Sequence, residues 1–202
     1  MTNYIKRYLK EVATISQQID QDKIDQIIKK LINLKKINGR IFFLGVGGSA
    51  ANCSHAVNDF RKISNIDAYT PMDNVAEITA RTNDEGWKTV FSSTLQINNL
   101  NKDDILFIFS VGGGNKEENI SVNLIEAIDY ANHVGADIIG IVGRDGGYVA
   151  KNSSCCIIIP TISLDTITPH AESWQSVIWH LIVTDPRLLT QMNKWESIGS
   201  NN

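Results

Sequence analysis

Short, unbroken apolar runs with helical patterns between them constrain this fold more than any other feature. Ile41–Leu44, Ile105–Phe109, Ile138–Val142 and Cys155–Ile159 are such runs, and Ile66–Tyr69 is a weaker one. A strand with one solvated face alternates apolar and polar residues, whereas a strand covered on both faces is apolar throughout. Between the runs, residues 49–62, 88–98, 121–133 and about 169–184 carry apolar side chains at helical spacing. Strands alternating with helices predict a parallel sheet covered on both faces, a three-layer α/β/α sandwich of five strands.

Ahead of this unit, Ile5, Leu9, Val12, Ile15 and Ile19, then Ile24, Ile27, Ile28, Leu31 and Leu34, repeat at helical spacing. They predict two helices broken near Asp20–Lys23 and ended by Asn38-Gly39. Pro186 stops the last helix, and the closing WESIGSNN reads as a fraying tail. The 202 residues then form one domain: helices over 1–38, an α/β core over 39–186 and a tail over 187–202.

Two glycine-rich turns follow apolar runs. The first, GVGGS at 45–49, places Gly45, Gly47 and Ala50 at the spacing of a dinucleotide-binding turn, with Asp67 about 20 residues on. Against that reading, the next helix carries Asn52, Ser54, His55, Asn58 and Asp59 where close packing on the sheet needs apolar residues. The second turn, SVGGGNKEENIS at 110–121, changes the picture. Two such loops at the carboxyl ends of parallel strands make one phosphate cradle, with close backbone approach and helix N-termini offering N–H groups. Its candidate lining is Val46, Gly47, Gly48 and Ser49 from the first loop, and Ser110, Val111, Gly112 and Ser121 from the second. Ser121 also stands where a helix cap belongs.

His55 and Asp59 lie four apart, so a helix puts them on one face, suited to holding a metal or moving protons. Glu172 and His180 lie eight apart, two turns, roughly 12 Å along the axis. For His180 alone, beside Trp179, Leu181 and Ile182, a core histidine is the default; His170 and Gln175 are substitutes, and His133 is a surface residue. In ARTNDEGW, Asn83 and Asp84 read as a polar turn before a helix.

This order of motifs, together with GIVGRDGG at 140–147, resembles the sugar isomerase (SIS) domain. Within it, the chain resembles the sedoheptulose-7-phosphate isomerase (phosphoheptose isomerase) family over nearly its whole length. The resemblance implies an isomerase that interconverts sedoheptulose 7-phosphate and D-glycero-D-manno-heptose 7-phosphate in activated-heptose biosynthesis. It implies Asp59 and His180 as catalytic residues; His55, Asp59, Glu172 and His180 as ligands of one zinc ion; and Asn83, Asp84 and Glu172 as substrate contacts. Homotetramers with sites between subunits are implied as well. The chain departs from the family pattern at Val46 (asparagine), Asp59 (glutamate), Gly112 (serine) and Glu172 (glutamine), and its second loop is longer. Two alternatives stay open: a sugar-phosphate-binding module without turnover, and an isomerase of another sugar phosphate.

A net charge of −3 gives no broad basic face, so neither nucleic acid nor an anionic membrane is an expected partner. No run is long enough to span a bilayer, and MTNYIKRYLKEV lacks a signal-peptide apolar region. Cys53, Cys155 and Cys156, odd in number with two adjacent, read as reduced thiols in a cytoplasmic protein.

Overall fold

The computed structural model describes residues 2–198. Helices α1 (Thr2–Gln18) and α2 (Gln21–Lys36) lead, separated at Asp20, whose Oδ1 accepts from the Lys23 amide at 3.0 Å. There follow β1 (Ile41–Leu44), α3 (Gly48–Ser64), β2 (Ala68–Tyr69), α4 (Val75–Asp84), α5 (Val90–Ile97) and β3 (Ile105–Ser110). The chain continues with α6 (Val122–Val134), β4 (Asp137–Val142), α7 (Gly147–Asn152), β5 (Cys155–Ile158), α8 (Ile167–Val183) and α9 (Lys194–Ile198).

All strands are parallel, in the order β2-β1-β3-β4-β5, with Leu44 opposite Ile108 and Ser110 opposite Val142. Because side chains alternate along a strand, one set faces each helical layer. Ile41, Phe43, Phe107, Phe109, Ile139 and Ile157 pack with α2, α3 and α8, while Phe42, Leu44, Leu106, Ile108 and Val142 pack with α5, α6 and α7. Phe43 is fully buried and touches Phe60, Phe107 and Phe109 at ring separations of 5.1–5.6 Å. The expected sandwich is therefore present, and β1 and β3 send their helices to opposite faces.

Polar ties close the amino edge of the sheet. Buried Asp104 accepts from the Arg40 amide, Nε and guanidinium at 3.1, 3.0 and 2.6 Å, and from Asn101. Arg40 gives its remaining donors to the carbonyls of Asn98 and Asn99. Helix α1 docks on α8 through buried Glu11, which accepts from His170 Nε2 at 2.9 Å and Thr166 Oγ1 at 2.8 Å, with Tyr8 stacked on the imidazole. Those hydrogen bonds, His170 first, hold the Glu11 carboxyl below its ordinary range.

Local readings needed correction in three places. Asn83 and Asp84 end α4 rather than forming a turn, because Asn74 caps that helix through the Glu77 amide and Arg81 pairs with Glu77 and Glu85. The expected tail begins docked: Leu188 is buried and the amides of Thr190 and Gln191 donate to the Ile63 carbonyl. Of WESIGSNN, expected to fray, residues 195–198 are helical in α9 and residues 199–202 lie outside the described residues. Finally, Ser121 occupies the cap position of α6 in a left-handed conformation, with no hydrogen bond from its side chain. The three cysteines are unpaired, and burial pushes the Cys53 thiol well up. Among the described residues no helix is long and apolar enough to cross a membrane.

Candidate active site

In this strand order the sequence reverses direction between β1 and β3, and in open parallel sheets ligands bind beyond the carboxyl ends at such a point. Asp67 lies at the other edge, where its carbonyl accepts from the Ile41 amide and its side chain from Tyr69. An acid at the amino end of β2 cannot reach a ribose bound beyond the carboxyl ends, so the dinucleotide arrangement is incomplete.

The start of α3 has the Glu172 carboxylate packed over Gly48. Gly47 enters it at φ 63°, a conformation suited to glycine, and no side chain caps the helix. Ser49 Oγ is buried without a partner at the first turn. Helix α6 has no cap from the Ser121 side chain; Asn123 Oδ1 accepts from the Leu124 amide at 3.0 Å, and the Asn123 side-chain nitrogen is buried and unpartnered. Helix α7 differs: the carbonyls of Gly113 and Gly114 accept from its Val149 and Tyr148 amides. The second glycine loop thus fills the N-terminus of α7 and leaves those of α3 and α6, which follow β1 and β3. Uncapped N–H groups beside a buried hydroxyl suit an anion. Ser110 Oγ accepts from the Gly113 amide at 3.0 Å, which shapes the loop, and its hydroxyl proton remains available.

About two and three turns into α3, His55 and Asp59 face His180 of α8. Asp59 Oδ2 lies 3.7 Å from His55 Nε2 and 3.9 Å from His180 Nε2, and one ligand atom from each of the three falls within 4.8 Å of the others. Asp59 is largely buried, while both imidazoles are half-exposed. His180 is therefore not the core histidine its neighbours suggested; Trp179 takes the core and His180 stacks against it at 3.5 Å. His180 Nδ1 donates to the Ser176 carbonyl at 2.7 Å, so in the neutral ring Nε2 presents a lone pair to Asp59. Two acceptors facing each other at that distance leave room for a cation or a shared proton. Asn58 occupies the other Asp59 oxygen at 2.8 Å. Two imidazoles and a carboxylate, one oriented by a backbone carbonyl, fit a zinc-type ion, whose catalytic centres use three protein donors and keep a position open.

Glu172, the fourth expected ligand, is not in this group. Eight residues from His180, its carboxylate lies over Gly48, where a Cβ would come within 2.4–2.7 Å of it. Closing His180 on Asp59 sends the residue two turns away to the start of α3. His170 and Gln175 are buried, the first against Glu11 and the second against Asn52. Val46 is exposed at the first loop, and Asn83 and Asp84 are exposed and bonded to each other.

Residues 4–143 match the SIS domain family. The chain belongs to that family. Among curated relatives, the phosphoheptose isomerase of Aneurinibacillus thermoaerophilus is 27% identical over 98% of this chain and all of that protein. The phosphoheptose isomerase of Sulfurimonas denitrificans is 29% identical over 90% and 93%. The structure of phosphoheptose isomerase GmhA from Neisseria gonorrhoeae superposes with a TM-score of 0.78 at 22% identity, covering 90% of this chain and 97% of that one. This last likeness shows the shared fold.

The SIS chain holds its site together through a residue that motif reading passed over. Asn52 donates to the Glu172 carbonyl at 2.9 Å and to Gln175 Oε1 at 3.1 Å, and accepts from Ser176 Oγ at 2.7 Å. It fixes α3 against α8 beside the carbonyl that orients His180. The available signal was its polarity on a helix that packs against the sheet.

Proposed function

We propose that this SIS chain is a phosphosugar ketose–aldose isomerase, converting sedoheptulose 7-phosphate to D-glycero-D-manno-heptose 7-phosphate for activated-heptose biosynthesis. The observation that carries this reading is the His55–Asp59–His180 group between α3 and α8, on a sheet whose α3 and α6 start after β1 and β3 without a cap from Gly47 or Ser121. The relatives named phosphoheptose isomerase support the substrate.

The phosphate sits at the starts of α3 and α6, contacted by the amides of Gly47, Gly48, Val111 and Gly112 and by the hydroxyls of Ser49, Ser110 and Ser121. Val46, Asn83, Asp84 and Glu172 lie along the sugar. Asp59 takes the proton from the carbon beside the carbonyl and returns it to the neighbouring carbon. His180 moves the proton between the two oxygens, with Ser176 fixing its ring. A zinc ion held by His55, Asp59 and His180, with Glu172 turning in from Gly48, would polarise the carbonyl. Ile5 and Leu9 on α1, with Val177 and Leu181 on α8, expose apolar surface that suits the homotetramer of this reading, in a cytoplasmic enzyme.

The test is incubation of the purified protein with sedoheptulose 7-phosphate and NMR detection of the aldose, with and without a chelator. Metal analysis and sedimentation accompany it. Aldose formation that a chelator abolishes is the expected result. Tight binding without turnover on any ketose phosphate would replace the enzyme with a sugar-phosphate-binding module. Turnover on a different sugar phosphate alone would keep the reaction and change the substrate.

A further inference from the structure

Arg144 belongs to the carboxyl edge, yet the chemistry proposed above does not use it. It follows β4 in the segment GRDGG, 143–147, with a left-handed backbone at φ 52°, disfavoured for any residue with a Cβ. Such conformations concentrate at functional sites. The arginine lies beside the second glycine loop. Its Cδ stands 3.5 Å from where a Cβ on Gly112 would be, so its stem runs along the bare backbone of that loop residue.

The other five arginines of the chain are engaged. Arg7 pairs with Asp165, Arg40 with Asp104, Arg81 with Glu77 and Arg187 with Asp25, while Arg61 lies over the Tyr69 ring. Among the described residues Arg144 has neither a hydrogen bond, an ion pair nor a ring. Its neighbour Asp145 accepts from the Gly147 amide instead. Arg144 is exposed, and an arginine held in a disfavoured turn against a glycine loop, with no protein partner, keeps its planar donors available for a ligand.

We propose that Arg144 contacts the phosphate monoester of the substrate, supplying at Gly112 the donors that a serine there would give. This rests on the sugar-phosphate reading of the site, and it adds a residue to the phosphate end rather than to the reacting carbons.

The experiment compares the full chain with Arg144→Gln, Arg144→Lys and Arg144→Gly. Each is titrated calorimetrically with sedoheptulose 7-phosphate, with unphosphorylated sedoheptulose and with inorganic phosphate, and is assayed for turnover. Arg144→Gln is expected to weaken the phosphorylated sugar and inorganic phosphate by about 10- to 100-fold, with kcat within about threefold. Arg144→Lys keeps the charge, loses the fork and falls between. Arg144→Gly relieves the left-handed backbone, so its Tm holds or rises while phosphate affinity drops as in the glutamine variant. That combination separates ligand binding from a structural role.

Unchanged phosphate affinity in the glutamine and glycine variants overturns the proposal. So does an equal loss for unphosphorylated sedoheptulose, or a wild-type protein that binds neither phosphate compound. If the wild type binds the phosphorylated ketose without turning it over, the isomerase reading fails, and the phosphate titrations still decide the role of Arg144.

Discussion

Two arginines at opposite edges of one sheet show how differently this chain treats its two ends. Arg40, at the amino edge, spends its donors on buried Asp104 and the carbonyls of Asn98 and Asn99. Arg144, at the carboxyl edge, is exposed, has no partner among the described residues and lies along Gly112, while at the start of α3 the buried Ser49 Oγ is also unpaired. A saturated polar network contributes to folding, whereas buried polar groups without partners cost free energy unless a ligand completes them. The amino edge is finished by the chain itself; the carboxyl edge keeps the Ser49 hydroxyl and the Arg144 guanidinium without a protein partner among the described residues.

Substitutions at the two edges should therefore separate activity from stability. The largest effect belongs to the imidazole–carboxylate group: Asp59→Asn and His180→Gln each lower turnover by at least about 10³-fold. Both keep a wild-type urea midpoint, and wild-type rates in either variant would remove these residues from the mechanism. At the other edge, Asp104→Ala lowers unfolding free energy by about 2–4 kcal/mol, because Arg40 loses its buried partner. The Michaelis constant of the surviving folded enzyme is unchanged. An Asp104→Ala protein of normal stability would show that the amino-edge network is ornamental.

Ser49→Ala tests the unpaired hydroxyl. Affinity for the phosphorylated sugar falls about tenfold, while stability stays level or rises slightly, since no hydrogen bond is lost on folding. A clear loss of stability would mean that the hydroxyl has a partner within the fold. The smallest effect concerns α1. Glu11 titrates below its ordinary value in the folded chain, so its contribution is complete above that value and is lost as pH falls through the depressed one. Urea midpoints measured from about pH 6 to about pH 3 should fall less steeply in Glu11→Gln than in the wild type. Parallel curves would show that the tie to His170 does not carry the acid sensitivity.

Much of the architecture was legible because it rests on burial. Runs such as Ile105–Phe109 can be apolar throughout only when both faces are covered, and the five runs became the five strands within two residues. The helix pair ending at Asn38 was legible for the same reason, and Asn38 does take a left-handed turn. Helix α4 was missed because it buries no residue and is held by a cap and by Arg81 pairing, neither of which has an apolar period. His180 looked like core because sequence neighbours on a helix point in different directions; Trp179 took the buried side and His180 the cleft.

The candidate site divides along the same line. His55 and Asp59 share a helix face by spacing alone, so the sequence determined that pair, along with the sheet, its layers and the two glycine turns. Whether His180 or Glu172 joined them depended on how α8 lies across α3, which Asn52 sets through contacts more than 100 residues away in the chain. The left-handed turn at Arg144 and its rest against Gly112 were likewise tertiary decisions. Periodicity records which side of an element is buried. It does not record the register between two elements, and that register determines which side chains meet.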